Sequence, residues 1–260
     1  MDDVCRHHDP TVITRQRGEH VVMMSLADYN SMEETMYLLG NPVNAERLMR
    51  GVEQKGGVGK SALARLISVE FARAGWSVKV GDLDTGQGST TKWKARRDMN
   101  GIEPEIPVEK YATVERAIRD ADNFDLMVLD GPAFAERRGL TMAKASDLIL
   151  LPTGYSLDDM EPQIETAYEL EDKGIDSDKI VFVFCRAEGS ESEDTAARRY
   201  MKKARVNVLG PVFPERASIR QAHNMGRAAS EVAHPSVKDK VIPLAQAIAD
   251  RMNQQQDKTK

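Results

Sequence analysis

Apolar residues near the start of the chain fall in short runs. Val12-Ile13 and, beyond Gly18-Glu19, Val21-Val22-Met23-Met24 predict two strands folded into a hairpin. Ser25 is placed to cap a helix reaching Leu39, which Gly40-Asn41-Pro42 breaks, and Asn44 to cap a second over 45–50. From Gln54 onward the texture changes. Leu63, Leu66, Ile67 and Phe71 recur near helical spacing within 61–74. Short β-rich runs follow at 77–81, 126–129, 148–152, 180–185 and 206–212. Helical patterns separate them at 114–121, 162–172, 193–204 and 217–231, and a last amphipathic helix over 237–252 precedes a polar tail, 254–260. Continuous apolar strands alternating with helices predict an α/β fold, a parallel sheet with helices on both faces. A small α+β segment precedes it.

Composition narrows the classes. The chain has 260 residues, 41% hydrophobic and 30% charged, which excludes wholesale disorder and collagen-like architectures. No apolar run approaches the roughly 18 residues that cross a bilayer. Met1-Asp2-Asp3 opens no signal peptide. A cytoplasmic protein without membrane attachment is expected. Cys5 and Cys185 are too few for a disulfide framework or a Cys-rich zinc site. The net charge of −5 argues against an even basic coat, yet from Arg198 to Arg227 eight basic residues face one acid, Glu215. Arg198, Arg199, Lys202 and Lys203 fall on one side of a helix, where cations add salt-sensitive affinity for nucleic-acid phosphates. A solvated helix face is the alternative reading of the same spacing.

The sharpest chemical signal is Lys55-Gly56-Gly57-Val58-Gly59-Lys60-Ser61 ahead of a helix. Glycines let backbone N–H groups turn toward an anion, and the helix N-terminus adds its dipole. Lys60 is placed to reach the β- and γ-phosphates of a nucleotide, and Ser61 to ligate Mg²⁺. The general phosphate-loop pattern requires glycine where this chain has Gln54. The lysine-led form instead resembles the deviant Walker-A loop of the ParA/MinD family of ATPases. That resemblance implies a P-loop NTPase-type sheet and a nucleotide held by Gly56, Gly57, Val58, Gly59, Lys60, Ser61 and Ala62. It also implies that Lys55 crosses the interface of an ATP-sandwich homodimer.

Further elements follow in family order. Val78-Lys79-Val80-Gly81-Asp82-Leu83-Asp84 is a strand ending in two carboxylates, and the resemblance gives Asp84 the water-positioning role. Small members continue with Pro-Gln and then Ser, Trp and Arg; here Thr85-Gly86-Gln87-Gly88-Ser89 leads to Trp93 and Arg96. The strand Leu126–Leu129 ends in Asp130, which resembles the metal-holding Walker B aspartate. The family's adenine-contacting asparagine is replaced by Cys185, leaving the turn Pro214-Glu215-Arg216 as the other candidate contact. The similarity covers about 54–253 and is to the smaller partition ATPases. It implies ATP and Mg²⁺ as cofactors, non-specific DNA binding by the basic C-terminal part, a centromere-binding adaptor as partner, and plasmid or chromosome segregation as the role. An ATPase positioning some other cargo is a variant of this reading.

The first 53 residues resemble a different family. Ile13 to Val22, Met24 to Thr35 and Tyr37-Leu38-Leu39-Gly40-Asn41-Pro42 are similar to YefM/Phd antitoxins almost residue by residue. The resemblance implies a truncated antitoxin-like segment, without the family's opening strand and helix or its toxin-wrapping tail. A toxin-binding repressor carrying an inactive ATPase fold is the alternative function. At the join, 50–54 is expected to form a short first strand after a helix ending near Met49.

Overall fold

A computed structural model describes residues 11–13, 21–23, 59–84, 86, 88–131, 137–186 and 190–259. The chain divides into two compact units, Met1–Gly56 and Gly57–Lys260. In the first, strand β1 (Thr11–Ile13) pairs antiparallel with β2 (Val21–Met23), Val12 opposite Val22, as the hairpin pattern predicts. The helices expected between Ser25 and Arg50, and the expected strand over 50–54, lie outside the described residues.

The second unit alternates helix and strand. Helix α1 (Lys60–Arg73) leads to β3 (Val78–Asp82), α2 (Ser89–Met99), β4 (Val108–Lys110), α3 (Val114–Ala121) and β5 (Leu126–Asp130). Then come α4 (Arg137–Ala145), β6 (Ile149–Thr153), α5 (Leu157–Asp172), β7 (Ile180–Phe184) and α6 (Glu191–Lys203). Strand β8 (Asn207–Val208), α7 (Ala217–Asn224) and α8 (Pro235–Thr259) complete it. Among the described residues the strands form two parallel sheets, ordered β4-β3-β5 and β6-β7-β8.

Alternation along the strands covers both faces. On one, Val78 and Val183 pack with Leu63, Leu66 and Ile67 of α1 and with Val241, Leu244 and Ile248 of α8. Leu126 and Val128 of β5 and Leu148 and Leu150 beside β6 join the same core, so α1 and α8 span both sheets. On the opposite face Ile149, Leu151, Phe182 and Phe184 meet Met160 and Ile164 of α5 and Met201 of α6. Between β5 and β6 lies a cavity of about 450 Å³, lined chiefly by Leu63, Ile67, Leu126, Val128, Leu148 and Leu150. Among the described residues no helix is long and apolar enough to cross a membrane.

Several boundaries differ from the sequence expectation for local reasons. Helix α5 starts five residues before the expected Pro162, because Ser156 accepts a hydrogen bond from the Asp159 N–H and two aspartates occupy the first turn. The helix expected over 217–231 ends at Asn224. Gly226 has φ +79°, and a Cβ there would lie 2.2 Å from the Arg97 nitrogen, so the chain turns where only glycine fits. The run 206–212 shrinks to two paired residues because Gly210-Pro211 interrupts the ladder. Helix α8 continues through the expected polar tail to Thr259.

Candidate phosphate-loop site

Gly59 stands as N-cap of α1 with φ +106°, and no side chain caps the helix. A Cβ at Gly59 would meet Cys185 Sγ at 3.0 Å and Cys185 Cβ at 3.1 Å, so the backbone here needs glycine twice over. The orphan N–H groups of the first turn are therefore available to an anion. Lys60 is the first helical residue, half-buried and lining the cavity between the sheets. Ala62 packs against the shared core. Lys55, Gly56, Gly57 and Val58 lie outside the described residues.

The carboxylates converge at the strand ends beside this helix. In the β3–β5 register Asp82 is opposite Asp130, and the Leu83 N–H donates to the Asp130 carbonyl at 2.8 Å. Both side chains are buried. Asp130 accepts from Thr90 Oγ1 at 2.6 Å, with the Ser61 hydroxyl close enough to act on its charge. Burial raises its pKa, against the pull of Thr90 and Ser61, and neighbouring Asp82 raises it further. Asp82 accepts from Thr91 Oγ1 at 2.7 Å, from the Thr91 N–H at 3.0 Å and from the Asp84 N–H at 3.2 Å. Asp84 is half-buried at the start of a turn, where its Oδ1 accepts from the Gly86 N–H at 3.1 Å and its carbonyl from the Gly88 N–H at 3.0 Å.

Helix α2 completes the site. Its first three residues each reach one member: Ser89 Oγ lies 2.7 Å from Ser61 Oγ, Thr90 binds Asp130 and Thr91 binds Asp82. Arg65, one turn beyond Ser61 on α1, donates from Nη2 to the Ser89 carbonyl at 2.9 Å and lies over the Trp93 ring. Burial lowers the Arg65 guanidinium to about 10, partly opposed by Asp130. Asp82 was legible as the first of two strand-end carboxylates, but sequence reasoning gave a role to Asp84 alone. It missed Arg65, Thr90 and Thr91 in this network, and Ser89 was visible only as a family position.

The remaining expected residues sit elsewhere. Pro214 is buried beside the Cys185–Phe213 bridge. Arg199, Lys202 and Lys203 are exposed along α6, but Arg198 departs from them. Its guanidinium pairs with Asp194 at 2.7 Å, donates to the carbonyls of Leu209 at 2.9 Å and Gly210 at 2.7 Å, and lies over the Phe184 ring. Those partners hold the strand-end loop, so Arg198 is turned inward from the other three.

The donor set suits Mg²⁺ with a phosphate ligand. Among the described residues no cluster of three His, Cys, Asp or Glu side chains forms a metal cage. A hydroxyl beside one or two carboxylates is what Mg²⁺ takes from protein when phosphate oxygens and water fill the other positions. Ser61 and Asp130 provide that pair.

Comparison with known proteins agrees with this geometry. Residues 1–56 match the model described as antitoxin Phd_YefM of type II toxin–antitoxin systems. Over 53 residues, 20% of this chain, the segment is 57% identical to the antitoxin YefM of Escherichia coli K12, of which it covers 64%. An uncharacterised Synechocystis protein is 54% identical over 54 residues, 57% of its length. The chain thus spans about six tenths of the curated relatives it matches. Solved structures align with the later unit. The cell division ATPase MinD of Pyrococcus furiosus has a TM-score of 0.59 at 21% identity, covering 75% of this chain and 95% of that one. MinD of Pyrococcus horikoshii, complexed with Mg-ADP, gives 0.60 at 19%, covering 75% and 92%. A ParA family ATPase from Chlorobium tepidum gives 0.53 at 16%, covering 74% and 95%. These likenesses show a MinD/ParA P-loop fold. The model for the CobQ/CobB/MinD/ParA nucleotide binding domain matches residues 52–228, well over half of the chain, which therefore belongs to that family.

Proposed function

We propose that this chain is a Mg²⁺-dependent ATP hydrolase of the deviant Walker-A type that pairs on ATP and binds DNA without sequence preference. Two copies face each other, with Lys55 of each reaching the partner's phosphates. Residues Gly56 to Ala62 hold the triphosphate, Lys60 neutralises its β- and γ-oxygens, Ser61 and Asp130 hold Mg²⁺, and Asp84 orients the attacking water. When bound, Mg²⁺ neutralises charge on the phosphate oxygens. Arg199, Lys202 and Lys203 contact DNA phosphates, and Arg198 buttresses the helix that presents them. The cycle serves plasmid or chromosome partition in the cytoplasm, with hydrolysis as its timer and a centromere-binding adaptor to stimulate it.

The observation supporting this reading is the gathering of Ser61, Asp82, Asp84 and Asp130 beside the start of α2, where Ser89 contacts Ser61, Thr90 binds Asp130, Thr91 binds Asp82 and the Asp84 N–H donates to Asp82. It is tested by ATP hydrolysis with and without DNA, wild type beside Lys60→Ala. The variant is expected to lose at least about a hundredfold in kcat, the scale for removing a preorganised charge stabiliser. Equal turnover in both proteins would sink the assignment. The 57% identity to an antitoxin favours a second reading, a toxin-binding repressor with an inactive ATPase fold. Co-purification with a small basic ribonuclease, in the absence of hydrolysis, would select it.

A further inference from the structure

Lys110 ends β4 opposite Asp82 in the β3–β4 ladder, so both side chains rise from the face of the sheet that carries α2. The lysine lies against Gly88, the N-cap of that helix. A Cβ built on Gly88 would stand 2.6 Å from Lys110 Nζ and 2.8 Å from its Cε, with Asp82 Oδ2 3.9 Å from the same point. The ammonium is thereby placed at the rim of the carboxylate site, beside the residue that precedes Ser89.

In the free protein this is a poor place for a cation. A helix N-terminus carries partial positive charge, and α2 has no acidic residue in its first turn. Among the described residues Lys110 makes no hydrogen bond or ion pair, while Asp82 is served by Thr91 and by the Asp84 N–H. The same place suits a cation once an anion arrives. Lys110 lies over the turn that carries Asp84, which the Gly88 N–H closes by donating to the Asp84 carbonyl at 3.0 Å. With Asp84 given to the attacking water, the phosphate on that side is the terminal one.

We propose that Lys110 binds the terminal phosphate of the nucleotide and so gives the site its preference for a triphosphate over a diphosphate. The inference rests on the ATPase reading and deepens it, adding a residue from outside the phosphate loop. Lysine fits the role, because its ammonium is a compact charge on a flexible stem and can follow a phosphate that leaves in each cycle. Gly88 puts no side chain in the way, and its φ of +53° is one that glycine adopts without strain.

Calorimetric titration of the full chain with ADP and with a non-hydrolysable ATP analogue, both in Mg²⁺, tests this without turnover. Lys110→Met removes the charge and keeps an apolar stem. It is expected to weaken triphosphate binding about tenfold to a hundredfold, the worth of a charged hydrogen bond, while ADP binding changes by less than about twofold. Lys110→Arg keeps the charge and should recover most of the lost preference. Without nucleotide, Lys110→Met should unfold in urea no more readily than wild type, since a cation has left a helix N-terminus. A role in folding alone would lower that stability and leave the preference intact. A triphosphate-to-diphosphate affinity ratio that is unchanged or raised in Lys110→Met overturns the proposal, whatever happens to either affinity alone. Should Lys110→Met fail to fold, Lys110→Gln decides by the same ratio. Failure of wild type to bind either nucleotide would refute the ATPase reading itself, whereas wild-type binding lost in Lys60→Ala with a flat ratio across the Lys110 series refutes this inference alone.

Discussion

His223 shows how a single half-buried side chain ties stability to pH. Its Nε2 is buried and without a hydrogen-bond partner, and burial, helped by the nearby cations Arg65 and Arg96, lowers its pKa to about 3. The folded protein holds it neutral, while the unfolded chain takes up a proton below about pH 6.5. Its contribution is whole above that pH and is lost progressively as the pH falls toward 3, because the unfolded state then binds more protons. Urea unfolding at pH 7, 6 and 5 should show His223→Gln losing stability less steeply than wild type, by up to about 1.4 kcal/mol per pH unit. Parallel curves would mean that His223 is solvated. Nothing in the sequence marks this histidine. The cations that act on it, Arg65 of α1 and Arg96 of α2, come from elements far away in the chain and leave no local signature. Lys60, Ser61, Asp84 and Asp130 were legible for the opposite reason: phosphate and metal chemistry restricts residue type and spacing along a short stretch of chain.

Helix α2 shows where element-level reading fails. Its buried residues are Thr90, Trp93 and Arg97, a sound helical stripe in spacing with a single apolar member. Each polar atom has a dedicated partner elsewhere. Thr90 meets Asp130, Trp93 Nε1 donates to the Arg227 carbonyl at 3.0 Å, and Arg97 pairs with Glu231 through 2.7 and 3.0 Å bonds. Hydrophobic periodicity cannot register a stripe whose burial depends on partners up to 134 residues away. Helices α1 and α3, whose buried faces are mainly apolar, begin and end within a residue of expectation. Helix α6 divides in the same way between inward and outward cations. Arg198→Ala removes an ion pair, two carbonyl hydrogen bonds and packing on Phe184, and should destabilise by about 1–3 kcal/mol in urea unfolding. Replacing Arg199, Lys202 and Lys203 together by Ala should cost under about 0.5 kcal/mol each, as exposed surface changes do. The triple variant should instead lower the salt slope of DNA binding by up to about 0.9 for each phosphate that is no longer neutralised. A salt slope unchanged in the triple variant would return α6 to an ordinary solvated face.

At the scale of the whole later unit, the parallel α/β architecture followed from apolar runs alternating with helices, but the division of the sheet did not. Strand β7 is buried along all five residues, as a central strand should be. Strand β5 is equally apolar in sequence, yet Leu126, Met127, Val128 and Leu129 are only half-buried. The difference lies in their neighbours. Strand β7 has ladders to β6 and β8, whereas β5 has a ladder to β3 and faces the cavity on the β6 side. Helices α1 and α8 join the sheets through one apolar core, so neither sheet is expected to unfold alone. Local opening is another matter, since it depends on burial and pairing at the strand itself. Native-state hydrogen exchange should therefore find the amides of Met127–Leu129 opening at least about tenfold more readily than those of Val181–Phe184, an opening-energy difference of about 1.4 kcal/mol or more. Equal protection of the two strands would mean that β5 is covered in solution on the side facing β6, and would place the weakest part of the unit outside its sheets.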